Sequence, residues 1–280
     1  MAYTLGSLFA GIGGIDLGFE RAGFKTIWQV EIDSYCRRVL AKHFPDAERF
    51  EDVRTVGIGS LKPVDVIAGG FPCQDISNAG RQEGITGKRS GLWKEFSRII
   101  SELRPKYVLV ENVAALLGRG IDVVLGDLSS LGYDAEWQII SAADVGAPHL
   151  RERVWILAYP GREGVYQRGR NSDAYEEMQD IRRIAGNVLS GEQKISGEIL
   201  AGSNCPQCEG DERAQRISTE YPHISRPGRW EPEPNVGRVA NGVPSRMDRL
   251  RCCGNAVVPQ IPELIARKIS DLLDSERPAA

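Results

Sequence analysis

The segment Gly69-Gly-Phe-Pro-Cys-Gln-Asp75 places a cysteine, Cys73, where a nucleophile would be useful. It directly follows a predicted strand over residues 64–68, and open α/β sheets bind ligands beyond the ends of their strands. The two glycines permit a tight turn, and Pro72 stiffens the approach to the cysteine. A partly exposed thiolate in positive surroundings would serve covalent catalysis, whereas the alternative is a buried structural cysteine.

Glu111 and Asn112 follow another predicted strand, over residues 107–110. We therefore expect them at the same sheet edge as Cys73. A carboxyl group beside a nucleophile can act as an acid and protonate a heterocycle nitrogen. The alternative interpretation is a helix N-cap at Asn112, because the following Val-Ala-Ala-Leu-Leu would begin a helix well.

The segment His149-Leu-Arg-Glu-Arg153 contains two arginines with one residue between them. In an extended backbone this spacing puts Arg151 and Arg153 on one face. Such a pair can hold a phosphate, a carboxylate or the carbonyl group of a base. Surface salt bridges are the alternative.

A glycine-rich turn, Phe9-Ala-Gly-Ile-Gly-Gly14, follows the predicted strand 3–9, and Glu31 ends the predicted strand 24–31. Glycines let the backbone approach a ligand, and the carboxylate can accept hydrogen bonds from ribose hydroxyls. Asp16 stands where a dinucleotide-binding motif would have its third glycine. A single-nucleoside cofactor such as S-adenosylmethionine therefore suits the turn better than NAD, and a plain strand–turn–helix connection is the alternative.

The elements that must position these groups alternate between strand-like and helix-like patterns. Helices are expected after the glycine turn as far as Gly23, from an N-cap at Asp33 to about His43, and over 92–103 and 256–275. Further strands are expected over 137–140 and 154–159. This alternation predicts the α/β class, with a parallel-rich sheet and helices on both faces.

The composition changes after Pro160, where residues 161–237 are rich in Gly, Arg, Glu, Ser and Pro with little periodicity. We expect residues 1–160 and 238–280 to form one discontinuous domain that carries the site. Residues 161–237 would form a short, irregular second domain.

The net charge of −3, from 35 Lys and Arg against 38 Asp and Glu, excludes a polycationic protein. No apolar stretch approaches the roughly 20 residues that span a bilayer. Six irregularly spaced cysteines indicate reduced thiols, so we expect a cytoplasmic protein without a disulfide framework. Cys205 and Cys208 form a lone Cys-x-x-Cys pair without two further zinc ligands, so no metal site is predicted.

Five of these motifs occur in the order found in the DNA cytosine-5 methyltransferase family of bacteria and phages, which the chain closely resembles. They are Leu8-Phe-Ala-Gly-Ile-Gly-Gly14, Phe71-Pro-Cys-Gln74, Glu111-Asn-Val113, Arg151-x-Arg153 and Gly254-Asn-Ala-Val-Val-Pro259. The resemblance covers about residues 3–160 and 238–275. It implies a Rossmann-like, S-adenosylmethionine-dependent methyltransferase sheet, with a small target-recognition domain in residues 161–237.

The resemblance also implies catalytic roles. Cys73 would attack carbon 6 of a flipped-out cytosine in double-stranded DNA, and Glu111 would protonate or hydrogen-bond ring nitrogen 3. Arg153, with Arg151, would bind the base carbonyl while carbon 5 takes the methyl group.

The resemblance further implies a cofactor pocket and a loop that closes on DNA. Glu31 would bind the ribose, Ile32 would contact the adenine and Asp52 its amino group. The remaining pocket residues would be Phe9, Gly11, Gly13, Pro72, Leu92, Asn255 and Val257. The DNA loop would use Gln74, Ser77, Arg81, Lys88 and Arg89.

Two departures from the family are visible. His149 stands where the family often has Gln, and residues 161–237 are short and acidic-leaning for a target-recognition domain. The resemblance points to restriction–modification or phage DNA protection by a monomer, with a separately encoded restriction endonuclease as a further partner. Three alternatives stay open: a transfer-RNA cytosine methyltransferase, which Gln74 disfavours, a catalytically silent DNA-binding relative, and, more distantly, an NAD-dependent oxidoreductase.

Overall fold

The computed structural model describes residues 2–72, 90–147, 149–161 and 245–276. Within these residues the chain forms seven strands and six α-helices, together with short 3-10 turns. In chain order they are β1 (Thr4–Leu8), α1 (Gly14–Arg21), β2 (Lys25–Val30), α2 (Ser34–His43), β3 (Glu48–Phe50), β4 (Val66–Gly69), α3 (Trp93–Leu103), β5 (Tyr107–Val113), α4 (Ile121–Ser130), β6 (Tyr133–Ile140), β7 (Arg153–Pro160), α5 (Arg246–Asn255) and α6 (Gln260–Ser275).

The strands of the described residues form one sheet in the order β3-β2-β1-β4-β5-β7-β6. Strands β1 to β5 pair in parallel with their neighbours, and β7 runs antiparallel to β5. The chain first moves from β1 to β2 and β3, then crosses back to β4 and β5 on the other side of β1. The topological switch point therefore lies between β1 and β4, and the segments after these two strands meet where open α/β sheets bind ligands.

Helices cover both faces of this sheet. Leu8 of β1 lies in a buried core with Phe96 of α3 and Val124 of α4. Because successive strand residues point to opposite faces, Ser7 points away from that core. Its hydroxyl donates to Asp16 of α1 at 3.0 Å, which places α1 on the second face, where α6 packs against it. The predicted α/β class, with a parallel-rich sheet and helices on both faces, is confirmed.

Helix α2 begins as the sequence predicts. Asp33 Oδ1 accepts hydrogen bonds from the backbone N–H groups of Tyr35 at 2.8 Å and Cys36 at 3.1 Å. An N-cap carboxylate satisfies donors that have no partner within the helix. The helix then continues to His43, as expected.

Strand β5 is longer than predicted, because it ends at Val113 and not at residue 110. Glu111 pairs with Trp155, and Val113 with Arg153, in the antiparallel β5–β7 ladder. Backbone pairing thus continues beyond the apolar run that predicted the strand. Glu111 and Asn112 lie inside β5, and the helix N-cap interpretation of Asn112 is wrong.

The C-terminal helix begins at Gln260 and not at residue 256. The residue before a proline is disfavoured in a helix, so Val258, which precedes Pro259, lies outside it. The preceding helix α5 was not predicted, and neither were β3, which has three residues, and α4.

The described residues belong to two compact units. The first contains residues 2–139, 152–161 and 245–276, and the second contains 140–147 and 149–151. The expected second domain, residues 161–237, lies outside the described residues except for Gly161, so the domain division stays a prediction. No helix of the described ranges is long and apolar enough to cross a membrane.

Candidate cofactor and catalytic site

A carboxylate from the end of β2 closes the glycine-rich turn that follows β1. Glu31 Oε2 accepts from the backbone N–H of Gly11 at 2.8 Å, and Glu31 Oε1 accepts from the N–H of Asp33 at 2.8 Å. Gly11 and Gly13 have φ values of +56° and +85°, a backbone conformation that favours glycine. Burial raises the pKa of Glu31, although the two backbone hydrogen bonds oppose the shift. Each oxygen keeps a lone pair that can accept a further hydrogen bond from a ligand hydroxyl.

The groups predicted to contact an adenine lie next to this carboxylate. Ile32 follows Glu31 and is 60% exposed. The N–H of Glu31 donates to Phe50 O at 3.0 Å, which holds the chain leading to Asp52 beside the end of β2. Asp52 Oδ2 lies 2.6 Å from Arg54 Nη2, and the hydrogen bonds from Arg54 lower the pKa of Asp52.

The segment between α5 and α6 packs closely on α1. A Cβ added to Gly14 would lie 2.8 Å from Val257 O and 3.2 Å from Val257 Cβ. A Cβ added to Gly18 would lie 2.6 Å from Pro259 O. Val257 therefore lies beside the start of α1, directly after the glycine-rich turn, whereas Asn255 is exposed at the end of α5.

The residues that lead to Cys73 are held against β5. A Cβ added to Gly70 would lie 2.5 Å from Glu111 Oε2, so a larger residue here would require the carboxylate to shift. Asn112 Nδ2 donates to Phe71 O at 3.2 Å, and both residues are buried. Cys73 itself lies outside the described residues. Strand β5 thus fixes the backbone that immediately precedes the cysteine.

Glu111 forms an ion pair with Arg153 across the β5–β7 ladder. Arg153 Nε lies 3.0 Å from Glu111 Oε1, and the two side chains are 23% and 13% exposed. Arg153 Nη1 also donates to Glu152 O at 2.7 Å. A hydrogen bond between two charged groups is stronger than one between neutral groups, and partial burial limits its screening by solvent. The pair therefore holds a carboxylate and a guanidinium together next to Gly70.

The expectation of an extended backbone from Arg151 to Arg153 is wrong. Arg151 has a φ of +37°, and β7 begins only at Arg153. Arg151 also belongs to the second compact unit, together with the exposed His149. The alternation that puts residues i and i+2 on one face holds only for extended backbone, so it does not apply here.

The remaining predicted residues divide into two groups. Pro72 and Leu92 are half-buried, and Leu92 packs against the core at the start of α3. The predicted DNA-contacting residues and the Cys-x-x-Cys pair lie outside the described residues: Gln74, Ser77, Arg81, Lys88, Arg89, Cys205 and Cys208. In the part of the chain that is described, no three His, Cys, Asp or Glu side chains are grouped to hold a metal ion.

Three residues that support the site were not among the site residues that the sequence predicted. Gly70 and Asn112 support Glu111 and Phe71, as described above. Asp16, noted only as a departure from the glycine motif, is fully buried and accepts from Gln29 Nε2 at 2.8 Å. Burial raises its pKa to about 6. An acid beside apolar residues in the first turn of α1 is visible in the sequence, but its burial and its partners in β1 and β2 are visible only in the structure.

Comparisons with known proteins identify the family of this chain. The family model for C-5 cytosine-specific DNA methylases matches residues 3–232. The type II methyltransferase M2.BsuMI of Bacillus subtilis strain 168 is 40% identical over 160 residues, which cover 54% of this chain and 41% of the relative. The type II methyltransferase M.Eco47II of Escherichia coli is 33% identical over 239 residues, or 83% of this chain and 55% of the relative.

A solved structure shares the fold of this chain. The methyltransferase EhMeth of Entamoeba histolytica superposes with a TM-score of 0.60 at 15% identity, covering 97% of this chain and 99% of that one. The chain spans about half the length of the two curated bacterial relatives. Because the family model matches most of its residues, the chain belongs to the C-5 cytosine-specific DNA methylase family.

Proposed function

We propose that this chain transfers a methyl group from S-adenosylmethionine to carbon 5 of a flipped-out cytosine in double-stranded DNA. The observation that carries the proposal is the Glu111–Arg153 pair, in which Arg153 Nε lies 3.0 Å from Glu111 Oε1. The Glu111 carboxylate lies beside Gly70, and Gly70 is three residues before Cys73 in the chain. Family membership supports the same chemistry. A silent binding protein would need neither a thiol after this turn nor a carboxylate fixed next to it.

In the proposed reaction, Cys73 Sγ adds as a thiolate to carbon 6 of the cytosine ring. Glu111 supplies a proton or a hydrogen bond to ring nitrogen 3, so that the electron pair displaced by the thiolate makes carbon 5 nucleophilic. Bound S-adenosylmethionine supplies the electrophilic methyl group. Loss of the proton from carbon 5 then expels Cys73 and restores the aromatic ring.

Arg153 has two successive partners in this scheme. While it pairs with Arg153, the Glu111 carboxylate has no proton to donate, so it must take one from solvent before it can protonate ring nitrogen 3. A bound base offers its carbonyl group to the guanidinium. Glu111 is then released toward ring nitrogen 3, and Arg153 helps to position the adduct.

The described cofactor residues suit an adenosine with a charged sulfonium. Glu31 keeps lone pairs for the ribose hydroxyls, and the exposed Ile32 offers an apolar surface to the adenine. Asp52 would accept from the adenine amino group in place of Arg54. We further propose Val257, Asn255, Pro72 and Leu92 as walls of this pocket.

We also propose that the protein acts as a cytoplasmic monomer in restriction–modification or in protecting phage DNA. A separately encoded restriction endonuclease would cleave the same sequence when it is unmethylated. By the family resemblance, residues 161–237 would select the target sequence.

Bisulfite sequencing of a plasmid co-expressed with the full chain tests the proposal. We expect protected cytosines in one recurring sequence, and none with Cys73→Ser, because the covalent adduct needs the thiolate. Cofactor binding by Cys73→Ser, measured by calorimetry, should match the wild type. Protection that persists in Cys73→Ser would contradict the covalent mechanism, and labelled methyl transfer to transfer RNA instead of DNA would contradict the substrate.

A further inference from the structure

Two buried cysteines, neither of them the proposed nucleophile, meet between α2 and α5. The Sγ atoms of Cys36 and Cys252 lie 3.2 Å apart, although the residues are 216 positions apart in sequence. Both residues are 6% exposed, whereas the neighbouring Cys253 is exposed. Two thiols in contact can be oxidised together to a disulfide, and here the two thiols come from distant parts of the chain.

Polar contacts beside the thiols hold the two helices together. Arg251 of α5 donates to Asp33, the N-cap of α2, and also to Asp248 at 3.2 Å. Asp33 in turn accepts from the N–H of Cys36 at 3.1 Å. The ion pair and the cap therefore keep the sulfur atoms in register. At 3.2 Å the sulfurs are about 1 Å farther apart than bonded sulfurs, a gap that side-chain rotation can close.

We propose that Cys36 and Cys252 form a reversible disulfide when the protein meets a small-molecule disulfide such as oxidised glutathione. One cysteine loses its proton to solvent and attacks a sulfur of the oxidant, releasing one small thiolate and forming a mixed disulfide. The second cysteine, losing its proton, attacks the protein sulfur of that mixed disulfide and releases the second thiolate. Both cysteines are oxidised, and the small disulfide is reduced to two thiols.

Access limits the first step of this exchange. Burial raises the pKa of both thiols, so the packed protein holds few thiolates and exchanges slowly. The oxidant reaches the pair when α5 lifts from α2, and the disulfide then fixes α5 in place. Because Val257, two residues after α5, packs on Gly14, the bridge also secures the chain that borders the glycine-rich turn.

The test is to incubate the full-length chain with oxidised glutathione under native conditions, block free thiols, and map the peptides by mass spectrometry. We expect a peptide pair joining Cys36 to Cys252, and a rise in Tm of about 5 °C or more, because the bridge closes a very long loop. Cys253→Ser is the matched control and should form the same bridge at the same rate. Cys36→Ala and Cys252→Ala should each lose both the bridge and the rise in Tm.

Peptide mapping of the wild-type chain decides the question even if a variant folds poorly. Exchange confined to mixed glutathione adducts, or a bridge through Cys253, would overturn the proposal. So would a Cys36–Cys252 bridge that forms only after denaturation. Methyl transfer is not the readout, because Cys73 is itself a thiol that the oxidant can modify.

Discussion

The two sides of the candidate site hold their carboxylates by different means. On the cofactor side, formed by the segments after β1, β2 and β3, Glu31 receives two backbone N–H groups at 2.8 Å. On the base side, formed by Gly70, β5 and the start of β7, Glu111 is held by the Arg153 guanidinium at 3.0 Å. Backbone amides cannot leave without disturbing the fold, whereas a side chain can exchange partners. On the proposed function, the cofactor side would be preorganised, and the base side would change its contacts when a base binds.

The acids of the cofactor side also differ from Glu111 in their electrostatics. Burial has the largest influence on Glu31 and on Asp16 beneath the turn, and it raises the pKa of both. Hydrogen bonds from neutral donors lower these two pKa values by less than burial raises them. Glu111 instead has a guanidinium in direct contact. Substitutions on the two sides should consequently affect different measured quantities.

Glu111→Gln should give the largest effect on the base side. The amide cannot transfer a proton to ring nitrogen 3, so we expect kcat to fall by about 10² to 10⁴. The Kd for S-adenosylmethionine should stay within about twofold of the wild-type value, because Glu31 and not Glu111 would bind the cofactor. Single-turnover methyl transfer and calorimetry measure the two quantities. Glu48→Gln, in an exposed pair with Lys62, is the control and should change neither. A tenfold weaker cofactor affinity in Glu111→Gln would break the separation of the two sides.

Asp16 should make the stability of the cofactor side depend on pH. Its pKa is raised from 3.8 to about 6 in the folded protein, so the native state binds the proton more tightly than the unfolded chain. This contribution is present below pH 4 and is lost as the pH rises through 6. Relative to Asp16→Asn, the free energy of unfolding should fall by about 2 kcal/mol between pH 4 and pH 7. Urea denaturation of both proteins across this range measures the difference, and parallel curves would show that Asp16 is not the titrating group.

Gly70→Ala should damage the base side through geometry alone. Its Cβ would lie 2.5 Å from Glu111 Oε2, so the carboxylate must move. We expect methyl transfer to slow by about 10²-fold, as for a displacement of roughly 1 Å in a catalytic group. Gly126→Ala, whose Cβ meets no atom within 4 Å, is the matched control and should retain wild-type transfer. Equal rates in the two variants would contradict a role for Gly70 in placing Glu111.

Glu31→Gln should give the smallest of these effects and should alter only binding. The amide retains one acceptor but loses the charge, so we expect the Kd for S-adenosylmethionine to rise by about tenfold. At saturating cofactor, kcat should stay within about twofold of the wild type. Glu48→Gln, in an exposed pair with Lys62, is again the control. A fall in kcat at saturation would mean that Glu31 also shapes the base side.

The local elements of the cofactor side were predictable because their signals are short-range. Asp33 caps α2 as expected, since the cap depends only on the next three residues. The prediction of an extended backbone at Arg151 was wrong because the backbone there does not depend on local sequence signals of this kind. Its φ of +37° is a property of a connection between elements, and residue spacing contains no information about it.

Strand β5 shows the opposite case, because its end could not be predicted from local sequence. The apolar run stops at residue 110, yet pairing with β7 carries the strand through Val113 and places Glu111 inside it. A hydrophobic pattern reports burial, whereas the end of a strand depends on how far a neighbouring strand extends. The N-cap interpretation of Asn112 failed because its side chain binds Phe71 O, 41 residues away.

The sequence by itself determined the α/β class, the family and the identity of the chemical groups, because these depend on local periodicity and on ordered motifs. Only the tertiary structure decided which groups meet. The Glu111–Arg153 pair, the contact of Gly70 with Glu111, and the buried Asp16 cluster all join residues from different elements. The physical reason is that strand pairing and close packing are set by long-range contacts. Those contacts depend on the three-dimensional order of the strands, which differs from their order in the chain.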